Sequence, residues 1–152
     1  MDGRFKAVFV VCGLVMLCVL TFVFFAFAPA AERTEADGDL YLMACAVYGE
    51  ARGESYTGKV AVAAVILNRI KSSEFPSTVE SVIYQPSAFS AVADGQINLG
   101  TDEECLRACR EALGGADPTD GCVYYYNPEI ATCEWIRTRT PVITIGNHIF
   151  CK

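Results

Sequence analysis

The chain has 152 residues, of which 53% are hydrophobic, with 12 basic side chains, 18 acidic side chains and a single histidine. This length holds one ordinary domain, and so much apolar material rules out a disordered chain. The net charge of -6 argues against a nucleic-acid partner, since phosphate contacts need clustered lysine and arginine. One histidine rules out the common zinc sites built from several histidines, so we expect neither a metal nor another cofactor.

The first feature in chain order is an apolar run without any charged residue, from residue 7 to residue 31. As a helix, residues 7–27 would be about 32 Å long, which matches the hydrocarbon core of a bilayer. Arg4 and Lys6 precede the run, so the chain after it is predicted to lie outside the cytoplasm. We therefore expect residues 1–31 to be a membrane anchor, or a signal sequence whose cleavage would release a secreted protein.

The rest of the chain divides into a short linker and one domain. Residues 32–39 are small and charged, as linkers are, and residues 40–152 form the predicted domain. This domain holds six cysteines: Cys45, Cys105, Cys109, Cys122, Cys133 and Cys151. In an oxidising place they could form disulfides, and the alternative is a set of buried free thiols.

Helical patterns occupy the first part of the domain. Asp39 is a candidate cap for a helix whose apolar residues recur every three to four positions, and residues 57–71 repeat that pattern. Capping boxes at residues 77–80 and 101–104 open two further helices. The last of these is predicted to end at Gly114, which suits a helix C-cap.

Strand patterns occupy the end of the domain. Residues 122–126, 142–145 and 148–150 are rich in β-branched and aromatic side chains, which is typical of short strands. Helices followed by strands predict an α+β fold.

The motif that indicates chemistry is Gly49-Glu50-Ala51-Arg52-Gly53-Glu54. Glu50 comes three residues after Val47 and so continues the apolar stripe of the first predicted helix. Partial burial disfavours a charged carboxylate, so this position suits a general acid. The alternative interpretation of this motif is a charged, solvated helix end.

Aromatic, amide and hydroxyl side chains elsewhere in the domain are typical of a carbohydrate site. Aromatic faces stack on the C–H faces of sugar rings, while amides and hydroxyls bond the ring edges. The candidate substrate-binding residues are Arg52, Glu54, Gln85, Phe89, Ser90, Asp94, Tyr124, Tyr126, Asn127 and Trp135. The aromatic members could instead pack in the core, and Trp135 suits either place.

Several segments, in order along the chain, resemble one enzyme family: GEARGESYTGKVAVAAVILNRI, FPSTVESVIYQPSAFSAVADGQI, YYYNPEIAT and GNHIFCK. From about Leu42 to Lys152 the chain resembles the catalytic domain of SleB/CwlJ-type cell wall hydrolases, the family of the spore cortex-lytic enzymes. The resemblance implies a small lysozyme-like α+β domain that cleaves the glycan strands of peptidoglycan. It also implies that Glu50 is the catalytic acid/base.

The resemblance further implies a lytic transglycosylase. Such an enzyme cleaves the bond between N-acetylmuramic acid (MurNAc) and N-acetylglucosamine (GlcNAc), leaves a 1,6-anhydro end, and needs one carboxylate. A muramidase-type hydrolase would use two carboxylates, and Glu54 or Asp94 would be the second. A non-catalytic peptidoglycan-binding module is the alternative outside the enzymes. The expected partners are peptidoglycan and, through residues 1–31, a membrane.

Overall fold

Five α-helices and a three-stranded antiparallel sheet are the main elements of residues 34–152, the part of the chain that the computed structural model describes. The predicted anchor at residues 1–31 lies outside this part. Among residues 34–152, none of the helices combines the length and the apolar character that a membrane crossing requires. Helices come first and strands last, which confirms the predicted α+β fold.

The helices are α1 (Glu35–Ala51), α2 (Tyr56–Lys71), α3 (Val79–Ile83), α4 (Ser90–Ala93) and α5 (Glu103–Leu113). Two 3-10 helices lie at Gln96–Leu99 and Glu134–Thr138. The strands are β1 (Tyr124–Tyr126), β2 (Pro141–Ile145) and β3 (His148–Cys151), in the sheet order β1-β3-β2. In the register of the sheet, Tyr125 of β1 lies opposite Phe150 of β3.

Helix α1 begins earlier than the sequence pattern predicted. The Thr34 hydroxyl accepts a hydrogen bond from the backbone N–H of Asp37 at 3.2 Å, and the Asp37 carboxylate accepts one from the backbone N–H of Thr34 at 3.3 Å. This reciprocal capping box satisfies N–H groups that a helix start leaves free. The prediction of Asp39 as the cap is therefore wrong, and residues 35–39 of the predicted linker are helical.

The caps of α3 and α5 lie one residue later than predicted. Thr78, rather than Ser77, caps α3, and Asp102, rather than Thr101, caps α5. Two neighbouring residues could serve as the cap in each case, because serine, threonine and aspartate all accept from a helix N-terminus. Thr101 is used elsewhere, since its hydroxyl donates to the carbonyl oxygen of Ala44 at 3.0 Å.

The core lies where α1, α2 and α5 pack together, and the interior of α2 (residues 60–66) is buried throughout. Gly49 near the end of α1 allows α4 to approach closely. A Cβ added at Gly49 would lie 2.4 Å from the Cβ of Ala91. This contact brings the first turn of α4 against the last turn of α1, which carries Glu50.

The six cysteines of residues 34–152 are free, and all except Cys133 are buried. Burial raises the pKa of Cys105 and of Cys109 to about 12. Burial likewise raises the pKa of Cys122 to about 11. Of the two alternatives that the sequence left open, the fold therefore contains free thiols, and the buried ones are protonated and unreactive at neutral pH.

Candidate active site

The Glu50 carboxylate is the meeting point of three elements that are distant in the sequence. Its Oε1 atom accepts hydrogen bonds from the backbone N–H of Ala91 at 2.7 Å and from the hydroxyl of Ser90 at 2.9 Å. Its Oε2 atom accepts one from the hydroxyl of Tyr125 at 3.1 Å. Donors from α4 and β1 therefore converge on a half-buried side chain of α1.

The hydrogen bonds between Glu50 and α4 follow from the structure of the first turn of α4. The first N–H groups of a helix have no partner within the helix. Phe89 stands at the N-cap position of α4 and supplies no side-chain cap. The Glu50 carboxylate accepts from the second residue of α4 instead, so the same contact satisfies the helix start and orients the acid.

Tyr125 contacts Glu50, although the predicted substrate-binding residues included only its neighbours Tyr124 and Tyr126. Its ring packs edge-on against His148 at 5.3 Å and lies 5.7 Å from Phe150. Burial, and then the nearby Glu50 charge, raise the pKa of Tyr125 well above its usual range. The phenol therefore remains a neutral donor. Successive residues of a strand face opposite sides, so the middle tyrosine had to face away from its two neighbours.

Glu54 lies apart from Glu50's donors and holds the turn between β2 and β3. Its Oε2 atom accepts from the backbone N–H of Asn147 at 3.1 Å, and its Oε1 atom accepts from the Asn147 side-chain amide at 2.9 Å. The Glu54 side chain is only 9% exposed. Both oxygens of Glu54 are thus engaged within the fold. Glu54 therefore stabilises the β2–β3 hairpin, whereas the sequence predicted that it would bind substrate.

His148 begins β3 and lies between Glu54 and Tyr125. Its Nδ1 atom is 3.8 Å from Oε1 of Glu54 and, among residues 34–152, has no hydrogen-bond partner. Burial lowers the pKa of His148, and the charges of Glu54 and Glu50 oppose this effect in part. The imidazole is therefore neutral at pH 7.

Two of the predicted charged residues are joined at the surface. Exposed Arg52 donates to the side-chain oxygen of Gln96, whose amide in turn donates to the carboxylate of Asp94. Hydrogen bonds from the Gln96 side chain and backbone lower the pKa of Asp94. The structure thus brings Arg52 and Asp94 into one exposed chain of hydrogen bonds.

The predicted aromatic residues divide between the core and the surface. The Tyr124 ring is half-buried and lies 5.7 Å from Phe75 and 5.4 Å from Trp135. Trp135 is 49% exposed, whereas Phe89 is 3% exposed and lies under the guanidinium of Arg69 at 5.0 Å. Phe89 therefore packs in the core, the alternative that the sequence left open for the aromatic residues, and supports the site from there.

The remaining predicted residues lie in turns or near the surface. Tyr126 is half-buried, with the Arg137 guanidinium 5.8 Å above its ring. The Asn127 side chain accepts from the backbone N–H of Glu129 at 2.9 Å, which fixes the turn after β1. Gln85 is half-buried in the turn after α3. Of these three, none is bonded to Glu50 in the structure described.

Comparison with known proteins decides the family. The profile of a family described as cell wall hydrolase matches residues 53–151 of this chain. The chain belongs to the cell wall hydrolase family. This confirms the predicted family and, with it, the prediction of an enzyme.

The curated relatives of this cell wall hydrolase are bacterial. Over 117 residues it is 56% identical to a spore cortex-lytic enzyme of Bacillus cereus, and the match covers 77% of this chain and 45% of the relative. It is 51% identical to the spore cortex-lytic enzyme of Bacillus subtilis, of which 38% is covered. It is also 32% identical over 104 residues to the cell wall hydrolase CwlJ of Bacillus subtilis, covering 64% of this chain and 72% of CwlJ. The chain spans less than half the length of both cortex-lytic relatives.

Two solved structures share the fold of this cell wall hydrolase. The catalytic domain of the Bacillus cereus SleB protein is 58% identical, with a TM-score of 0.71 over 75% of this chain and 89% of that domain. The catalytic domain of the germination-specific lytic transglycosylase SleB from Bacillus anthracis is 53% identical, with a TM-score of 0.73 over 82% of this chain and all of that domain. Residues 34–152 therefore have the fold of a SleB catalytic domain.

Proposed function

We propose that this chain cleaves the MurNAc–GlcNAc bond of peptidoglycan, with Glu50 as the general acid and base. The observation that carries this proposal is the Glu50 carboxylate, on which donors from Ser90, Ala91 and Tyr125 converge. Relatives named for the lysis of spore cortex and a structural neighbour named as a lytic transglycosylase support peptidoglycan as the substrate.

The donors around Glu50 suit the proposed chemistry because a general acid becomes a carboxylate as it acts. When Glu50 gives up its proton, the hydroxyl of Ser90 and the N–H of Ala91 already point at the developing charge, and the hydroxyl of Tyr125 can turn to donate to it. Donors that are oriented before the reaction stabilise such charge without reorganisation.

The same contacts favour Oε2 as the oxygen that carries the transferable proton. The Ala91 N–H can only donate, and it already occupies Oε1 together with the Ser90 hydroxyl. The hydroxyl of Tyr125 can rotate and accept instead, so a proton on Oε2 is compatible with every neighbour. Oε2 is therefore the atom that would donate to the glycosidic oxygen.

In the proposed reaction the proton of Glu50 passes to the GlcNAc oxygen as the bond from that oxygen to C1 of MurNAc breaks. The 6-hydroxyl oxygen of the same MurNAc forms a new bond to C1, and its proton returns to Glu50. The product is a 1,6-anhydro end, and no water is consumed. One carboxylate is sufficient for this sequence of steps.

A hydrolase acting through two carboxylates has less support, because the two candidates for the second carboxylate are engaged. Both oxygens of Glu54 accept from Asn147, and the carboxylate of Asp94 accepts from Gln96. A second carboxylate would have to be free to act on water or on C1. These contacts favour the transglycosylase.

The substitution Glu50→Gln tests the role of Glu50. The amide keeps the size of the side chain but cannot exchange a proton, so the release of soluble fragments from purified peptidoglycan should fall by a factor of about 100 or more. Glu80→Gln is the matched control, since Glu80 is an exposed residue of α3 and should behave as the wild type. Thermal unfolding shows whether each variant is folded. Undiminished cleavage by folded Glu50→Gln protein would refute the assignment.

We propose further that residues 1–31 attach the catalytic domain to the outer face of the cell membrane. The uncharged run from residue 7 to residue 31, with Arg4 and Lys6 before it, supports this orientation. Cell fractionation with an antibody against the domain tests it. An anchored protein stays with membranes at alkaline pH and is digested by protease added outside, whereas a shortened protein in the medium would indicate a cleaved signal sequence.

A further inference from the structure

A guanidinium group that pairs with no carboxylate of residues 34–152 packs near a ring of β1, the strand that contacts Glu50. The Cζ atom of Arg139 is 4.1 Å from the centre of the Trp135 ring and 5.2 Å from the centre of the Tyr124 ring. The two rings meet edge to face, at 88°. Tyr124 precedes Tyr125 in β1. We call Arg139, Trp135 and Tyr124 the arginine–aromatic site.

The charge of Arg139 is not neutralised within the fold. Within residues 34–152 its guanidinium takes part in none of the ion pairs, and its Nε atom is buried without a hydrogen-bond partner. This is unexpected in a chain with more acidic than basic residues. Arg110, by contrast, pairs with Glu103 at 3.2 Å.

A neighbouring arginine shows what a purely structural role looks like. Arg137 donates to the carbonyl oxygens of Pro128 at 2.9 Å and Ala131 at 3.0 Å, and so closes the loop after β1. Arg139 makes no such bonds in the part of the chain described, although a guanidinium carries five N–H donors. Its terminal N–H groups, unlike the buried Nε, are therefore available to a ligand.

The aromatic rings prepare Arg139 for an anion. The contacts with the Trp135 and Tyr124 rings restrict the guanidinium and stabilise its charge. A guanidinium held in this way can bind a carboxylate through two parallel hydrogen bonds, with less entropy lost than a free side chain would lose. The site therefore has the chemistry of a carboxylate receptor.

The exposed part of Trp135 adds a second recognition element. Trp135 is 49% exposed, so part of the indole is open to a stacking partner. Aromatic faces stack on sugar rings, as in the carbohydrate sites considered above. An indole beside an unpaired guanidinium thus matches a sugar that carries a carboxylate.

We propose that Arg139 binds a carboxylate of the peptidoglycan strand while Trp135 stacks on the adjoining sugar. This inference rests on the proposed function. The carboxylate belongs either to the peptide stem or to the lactyl group that remains on MurNAc when the stem is removed. Arg139 is accordingly a residue that determines which strands are bound.

Kinetics on three forms of one glycan preparation test the proposal. The first form keeps its peptide stems, the second has lost them and exposes lactyl carboxylates, and the third is the second after methyl esterification, which removes the charge. For the full chain carrying Arg139→Gln, KM should rise about tenfold on whichever carboxylate-bearing strands are recognised. Both kcat and the KM for esterified strands should stay close to wild type. An unchanged KM on all forms, or an equal rise on esterified strands, would overturn the proposal.

Arg107→Gln is the matched control. The Arg107 guanidinium lies 4.6 Å over the ring of Tyr56, the first residue of α2. Its removal also deletes a stacked arginine, so KM should stay the same on every strand form. Arg139→Lys keeps the charge and loses the planar fork, and its KM should lie between those of the wild type and Arg139→Gln.

A measurement on the wild type keeps the proposal testable if the Arg139 variants do not fold. The wild-type KM should be about tenfold lower for whichever carboxylate-bearing strands are recognised than for the esterified strands, and equal values on all three forms contradict the proposal. If no strand is cleaved, the proposed function has failed. Co-sedimentation of the protein with the three strand forms then still decides whether a carboxylate is recognised.

Discussion

The hydroxyl of Tyr125 donates to Oε2 of Glu50 across 3.1 Å, although 75 positions separate the two residues in the sequence. The bond joins the last turn of α1 to the first strand of the sheet. The orientation of the proposed acid therefore depends on the packing of the sheet against the helices.

Tyr125→Phe should lower kcat by a factor of about 10 to 100, because it removes one donor from the carboxylate and keeps the packing of the ring. Tyr56→Phe is the control: it also removes a tyrosine–glutamate hydrogen bond, to Glu111 at 2.7 Å, but at the start of α2. Initial rates on purified peptidoglycan check both variants. A Tyr125→Phe enzyme as fast as the wild type would show that the hydroxyl does not orient Glu50.

Two glycines of α1 should respond in opposite ways to replacement by alanine. At Gly49 the new Cβ would lie 2.4 Å from the Cβ of Ala91, so the free energy of unfolding should fall by about 1–3 kcal/mol. At Gly38 no atom lies within 4 Å of the new Cβ, so the better helix propensity of alanine should stabilise the fold by about 0.5–1 kcal/mol. Denaturant unfolding measures both changes. A Gly49→Ala variant of unchanged stability would contradict the close contact of α1 with α4.

Glu54 and Asn147 should be energetically coupled, since the Glu54 carboxylate accepts from both the backbone and the side chain of Asn147. Glu54→Ala and Asn147→Ala should each destabilise the fold, and the double variant should lose less than the sum of the two. The coupling free energy from a double-mutant cycle should be about 1–2 kcal/mol. Strict additivity would indicate that the hairpin is held by other contacts.

His148 should make the stability depend on pH below its ordinary pKa of 6.5, because burial lowers the pKa of this residue in the fold. Below about pH 6.5 the unfolded chain then binds more protons than the folded chain, so the free energy of unfolding falls as the pH falls. His148 is the single histidine of the sequence, so His148→Gln should flatten this limb between pH 6.5 and about pH 5. Equal slopes for the wild type and the variant over that range would contradict the prediction.

The position of Glu50 could be predicted from the sequence because it depends on local periodicity. The apolar stripe of α1 continues to Glu50 and turns the residue toward the core. Its donors could not be predicted in the same way. Tyr125 faces Glu50 only because β1 pairs with β3 in a particular register, and that pairing is a long-range property.

The remaining differences from the sequence analysis have local or tertiary causes. Thr101 has the side chain of a helix cap, but its hydroxyl bonds to Ala44 of α1, and Asp102 caps α5 instead. Helix α4 carries little periodic signal, because it has four residues and no side-chain cap. Glu54 has the side chain of a catalytic carboxylate, yet the hairpin at Asn147 engages both of its oxygens.

The chemical nature of the cleaved ends tests the central claim most directly. The full chain is incubated with purified glycan strands in water enriched in ¹⁸O, and the products are analysed by mass spectrometry. A single-carboxylate reaction through Glu50 predicts 1,6-anhydro MurNAc ends that carry no ¹⁸O, and none from the Glu50→Gln variant. Reducing MurNAc ends labelled with ¹⁸O would contradict the account, because they would show that water, rather than the 6-hydroxyl, attacks C1.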